Sequence, residues 1–260
     1  MIKSFLRIWI DCNFASINCR NRLFMNKIFI ALSLLIVFAS CTSHYKIKGE
    51  SSVSSLDGKM LYVKSFKNGQ LQNIDSAEVV HGFFEMKGEV DTAEMVLLFM
   101  DDNVIMPFVL EEGSVKIRIE DARLSARGTK FNDELYDFFD EKNKIDSRVD
   151  ELERMETRMI LDGVDPVSAQ QKLMDEGAAI SDDMSRLIKG FLKKNSENIL
   201  GSGVFLLLCQ SAPIMTPEIE EILSELPASF CDNPQVKEYV DSARENLKML
   251  REHSQMSTAH

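Results

Sequence analysis

The sequence predicts an α+β protein in which an N-terminal antiparallel β-sheet or small sandwich is followed by a helical region with a long helical hairpin. Two observations predict it: residues 45–120 break into short β-prone runs separated by turn residues, and apolar positions after Gly128 recur every three or four residues. An uncharged apolar run at 28–41 comes before both regions.

That first run holds about 12 apolar residues, short of the roughly 20 that a membrane-spanning helix needs, and its length suits the core of a signal peptide. Met25-Asn26-Lys27 places a positive charge directly before it, as a secretory signal requires. Residues 1–40 are therefore read as a signal peptide. The chain is expected to start at Met25, which makes 1–24 an over-extended start; a long charged leader is the alternative. Phe38-Ala39-Ser40-Cys41 resembles a lipobox, the peptidase site of bacterial lipoproteins, with Phe38 where Leu is usual. On this reading Cys41 is the mature N-terminus and the lipidation site. Its acyl chains, palmitate among them, would each add membrane affinity at about 0.8 kcal/mol per buried methylene. A buried strand that happens to end in Cys is the competing reading. Residues 42–44, Thr-Ser-His, lack the acidic cluster that sends some lipoproteins to the cell surface. A lipid-anchored place in the cell envelope, on the periplasmic side rather than the cell surface, is expected.

Charge narrows the partners. Residues 1–40 hold five Lys or Arg against one Asp, so the segment from Cys41 carries 25 basic and 40 acidic residues, a net charge of −15. So acidic a chain argues against nucleic acid, which needs basic patches to neutralise its phosphates, and no nucleic-acid partner is expected. The membrane is expected as a partner only through the anchor.

The β-rich domain is assigned to 45–128. Tyr45 to Gly49 alternates, and Lys59 to Lys64 follows the turn signal Asp57-Gly58. Asp75 to Val80 and Phe83 to Met86 flank His81-Gly82, which reads as a hairpin because glycine tolerates positive φ. Met95 to Met100, Val104 to Leu110 and Val115 to Ile119 complete about seven strands. With no helix between them, antiparallel pairing is favoured over parallel. Pro107 cannot donate to a ladder, which puts its strand at an edge.

The helical domain is assigned to 129–253. Leu135, Phe138, Ile145, Val149, Leu152 and Met159 fall on one helical face, with Thr129 or Asn132 available as N-cap. Asp162-Gly163 ends that helix and Asp165-Pro166 opens another, whose apolar positions are Val167, Leu173, Ile180, Met184, Leu187 and Phe191. An antiparallel hairpin is expected, with the stripes packed on each other or on the core. Val204 to Cys209 reads as a short buried helix. Thr216-Pro217 and Asn233-Pro234 open two more, and 254–260 is polar and expected to fray.

Tyr45 to Gly49, Gly58 to Tyr62, Ile74 to Ala77, Gly82 to Gly88 and Leu110 to Gly113 occur in an order that resembles a β-rich domain of unknown function. That domain precedes a thioredoxin-like domain in exported lipoproteins of Gram-negative gut anaerobes. The resemblance spans roughly 45–250. It implies thiol-disulfide chemistry in the thioredoxin-like part, whose Trp-Cys-x-x-Cys motif is missing from this sequence, so that activity is not carried over.

Chemistry read from the residues is sparse. Beyond Cys41 the cysteines are Cys209 and Cys231, 22 residues apart, which suit a structural disulfide in an oxidising compartment or two unpaired thiols. His44, His81, His253 and His260 lie beside the anchor, in a turn and in the tail, a poor basis for a triad or a metal site. Asp101-Asp102, Glu111-Glu112 and Asp182-Asp183 are expected to be solvated, Gly201-Ser202-Gly203 to start a close-packed helix, and Phe83-Phe84, Phe138-Phe139 and the methionines to fill core. No catalytic residue, metal or cofactor is therefore assigned. The favoured expectation is a non-enzymatic binding or assembly module with a protein or glycan partner in the envelope. The alternative is an accessory module of a periplasmic thiol-disulfide system that acts with a separate thioredoxin-like partner. A hydrolase would require a deep acidic pocket.

Overall fold

Alternation and turn chemistry give eight strands over the β-rich segment of a computed structural model that describes residues 43–67 and 70–258. The leader assigned to 1–40 and the lipidation assigned to Cys41 lie outside the described residues. The strands are β1 (Ser43–Ser51), β2 (Met60–Lys67), β3 (Gln70–Glu78), β4 (Phe83–Val90), β5 (Glu94–Met100), β6 (Asn103–Leu110), β7 (Gly113–Ile119) and β8 (Leu124–Arg127). They form two four-stranded sheets, ordered β4-β1-β7-β8 and β3-β2-β5-β6. Pro107 lies in β6, at an edge, as its missing N–H requires.

Two pairings depart from the expected pattern. β1 runs parallel to β7, with Tyr45 opposite Gly113 and Ser51 opposite Ile119. No crossover helix is needed, because the chain between them is spent on the other strands. His81-Gly82 does turn tightly, with φ of 53° and 79°, and Val80 bridges Phe83. The hairpin stops there: β3 and β4 belong to different sheets. Gly82 N–H donates to Asp57 Oδ1, and Ser51 N–H donates to the Gly82 carbonyl at 2.7 Å, so the turn is tied to the end of β1.

The helices are α1 (Lys130–Leu161), α2 (Pro166–Lys194), α3 (Ile199–Cys209), α4 (Pro217–Ser224), α5 (Ala228–Cys231) and α6 (Pro234–Thr258). Gly163 ends α1 at φ 68°, with its own N–H bonded to Ile160 O and Val164 N–H to Met159 O, the paired closure that a left-handed cap provides. Asp165 caps α2 by accepting from Ser168 N–H at 3.0 Å. The single turn α5 is one element more than the proline signals predict. The backbone of α6 stays helical through 254–258, where polarity alone suggests a tail, because neither glycine nor proline interrupts it.

Ile47, Val115 and Ile117 of one sheet, Leu61, Leu98 and Phe108 of the other, and Leu135, Leu192, Leu200, Phe205 and Val236 of the helices belong to one buried cluster. The β-rich and helical regions therefore share a core. Gly203 lets α3 approach β5 so closely that a Cβ there would come within 2.6 Å of the Met95 side chain.

Candidate functional site

The helical hairpin is aimed by a buried polar junction at the root of α1. Asn132, fully buried, accepts from Val109 N–H at 2.9 Å and donates to Val109 C=O at 2.7 Å, so a side-chain amide completes the outer edge of β6 as a further strand would. Its amide also donates to Thr129 Oγ1 at 2.8 Å. Glu111 reaches under the helix and accepts from Phe131 N–H at 2.9 Å and Asn132 N–H at 3.2 Å, which satisfies two of the donors that a helix start leaves open. Tyr136 donates to Pro107 C=O at 2.8 Å; burial pushes its phenol pKa up. Thr129 is the N-cap position but its side chain makes no capping bond, and Asn132 lies inside the helix, so the cap comes from β6–β7 rather than from either expected residue.

From this root α1 runs beside β8. Arg127 bonds Asp137 and Asp140, and Arg123 bonds Asp140 at 3.2 Å. Beyond Phe138 no residue of α1 is buried, and in α2 only Ile180 and Leu192 are. The distal hairpin is held by its own contacts. Gly177 passes Leu152, and Arg148 donates to Asp183 at 2.6 Å and to Glu176 at 3.3 Å, bonds that hold its guanidinium charged. At the bend, Ile160 is 71% exposed, Leu161 79% and Val167 75%. Val167 was expected on the packed stripe; the register of the hairpin instead leaves it at the open end, where no facing helix remains.

A groove of about 700 Å³ lies between the hairpin and α4, lined by Val149, Leu152, Ile180, Met184, Ile188 and Ile222. Lys189 and Glu221, bonded to each other, line one side of it; Lys189 and Lys193 also bond Glu225, whose carboxyl they hold down at about 2.

The residues singled out by sequence fall in scattered places. Cys209 and Cys231 are free thiols, the first buried on α3 and the second half-buried at the end of α5. Burial pushes the Cys209 thiol pKa up. His44 sits 3.8 Å from Glu89, and His81 takes the left-handed turn position. Asp101 forms the exposed β5–β6 turn at φ 54°, and Asp183 holds Arg148. Glu111 overturns the expectation of a solvated acidic pair: it is 9% exposed, because a carboxylate that accepts three helix-start donors is compensated for leaving water. Phe83 likewise is not core, at 60% exposed, whereas Phe84 packs over Gly49. Gly201 lies against the Asn195 carbonyl, in keeping with a close-packed helix start. Among the described residues no group of three or more His, Cys, Asp or Glu is placed to hold a metal ion, and no helix is long and apolar enough to cross a membrane. Ile160 and Leu161 were not singled out, although adjacent apolar residues beside a helix-ending glycine are a readable signal.

Two sheets joined through a capped edge to a helical hairpin define an α+β protein whose β-rich part is its recognisable module. Residues 45–135 match the family model of a domain of unknown function, DUF4369, in line with the β-rich domain expected from the sequence. The match takes in both sheets and ends at Leu135, so it includes Glu111 and Asn132 of the junction but neither Tyr136 nor the rest of the hairpin. Comparison with curated proteins gave no match.

Proposed function

We propose that this chain is a lipid-anchored binding or assembly module of the cell envelope that works without catalysis, with the distal helical hairpin as its binding element. The observation that carries the reading is the exposed apolar bend. Ile160, Leu161 and Val167 are each more than two-thirds exposed, at the end of an arm in which no side chain from Phe139 to Ala179 is buried. Large apolar side chains grouped on a surface mark interaction sites. His81 and Asp101 in turns, Glu111 at the start of α1 and Asp183 on Arg148 each have a structural role, which supports a function other than catalysis. The apolar run at 28–41 and the lipobox-like Phe38-Ala39-Ser40-Cys41 support the anchor and a periplasmic placement.

The reading is tested by affinity capture from detergent-solubilised envelope with the intact protein and the double variant Ile160→Ser/Val167→Ser. A protein retained by the intact chain and lost by the variant supports it. Equal capture by both would move the binding site elsewhere. Capture of a thioredoxin-like protein by both would favour the redox-accessory alternative.

A further inference from the structure

The described residues give the β-rich region two distinct ends. At one end lie Ser43, where β1 starts, and Gly113, which is level with Tyr45. Lys67 and Glu94 are at the same end of the other sheet, where their side chains meet at 3.1 Å and where Glu94 pairs with Leu110. Phe66 and Leu71, paired across β2 and β3, are both about half exposed there. At the opposite end lie Ser51, Ile119 and Leu124.

The direction of α1 follows from its bonds. Asn132 is held at Val109, Tyr136 at Pro107, and Asp140 at Arg123 just before β8. Since β6 runs from Asn103 toward Leu110 at the Ser43 end, the helix starts at that end and passes the opposite one at about Asp140. Its 32 residues extend about 46 Å at 1.5 Å per residue, and the last 21 lie beyond the level of Arg123. The exposed bend is thus the point of the hairpin farthest from Ser43.

Cys41 is two residues before Ser43, a reach of at most about 7 Å. We infer that the Ser43 end of the β-rich region rests on the lipid surface and that the hairpin points away from it, presenting Ile160, Leu161 and Val167 to a partner held some 4–5 nm off the membrane. The inference rests on lipidation of Cys41, as proposed above. With only two residues between Cys41 and β1, the anchored end stays close to the lipid, and Phe66 and Leu71 offer apolar side chains at that end to seat it.

The only tryptophan of the sequence is Trp9, in the predicted leader, so a single introduced tryptophan reports its own position. The lipidated full-length product, carrying Leu71→Trp or Leu161→Trp, is reconstituted in phosphatidylethanolamine/phosphatidylglycerol vesicles doped with headgroup-dansylated lipid. Leu71→Trp should lose most of its emission to dansyl, and Leu161→Trp should keep nearly all of its own. Equal transfer from both positions in a protein that floats with the vesicles overturns the orientation and leaves the anchor standing. A protein that fails to float, or floats equally well as Cys41→Ser, overturns the anchor and the orientation with it.

Discussion

Asn132 does at residue scale what a neighbouring strand would do, and its loss is correspondingly costly. Asn132→Ala would leave the N–H and C=O of Val109 unpaired in a buried place, at about 1–3 kcal/mol for each stranded group. Urea unfolding should therefore show a loss of about 3 kcal/mol with an unchanged slope. Ser65 is the opposite case. It is 2% exposed on β2 and its hydroxyl has no partner, so Ser65→Ala should hold or raise stability by about 1 kcal/mol. The two thiols should also differ. With native protein, a thiol reagent should modify Cys231 first and reach Cys209 only on unfolding, because Cys209 is 6% exposed and its thiolate is disfavoured by burial. Little of this was legible in the sequence. A glutamate in an acidic pair looks solvated until a helix from elsewhere in the chain brings two backbone N–H groups to it, and Asn132 looked like an N-cap until β6 was found open beside it.

At the scale of elements the sequence was more informative, because caps and prolines act locally. Asp162-Gly163, Asp165-Pro166 and Thr216-Pro217 mark helix boundaries where the chain makes them. β8 escaped notice because four residues with one buried side chain carry too little alternation, and α5 because a single turn has no period. The distal hairpin should be the first helical part to open. Amides at 145–175 should exchange well before those of β1 and β7, since few buried contacts hold them. Ile160→Ser/Val167→Ser should leave unfolding stability within about 0.5 kcal/mol of the parent, as expected of exposed positions. The tie between α2 and α4 is pH-dependent. Because Lys189 and Lys193 lower the Glu225 pKa to about 2, its contribution is complete above the ordinary carboxylate range and fades as pH falls toward 2. Glu225→Gln should therefore flatten the acid limb of a stability titration and leave its neutral part almost unchanged, with the small size of a solvent-screened pair.

At the scale of the whole molecule, one core joins the sheets to the helices, and no local pattern in the sequence predicts it. Alternation showed which residues face inward; it could not show that β3 and β4 part company after His81-Gly82, or that β1 would lie beside β7. Those facts are set by contacts between segments far apart in the chain. The shared cluster predicts that sheet and proximal helix signals are lost in one transition on thermal unfolding. The arm, its apolar bend and the tethered end acquire a common purpose only if Cys41 carries lipid. The most direct test is mass spectrometry of the N-terminal peptide from protein expressed in a Gram-negative host and purified from its membranes. A chain that begins at Cys41 and bears acyl chains is the predicted result; an unmodified Cys41 inside a chain that still carries residues 28–40 would contradict it.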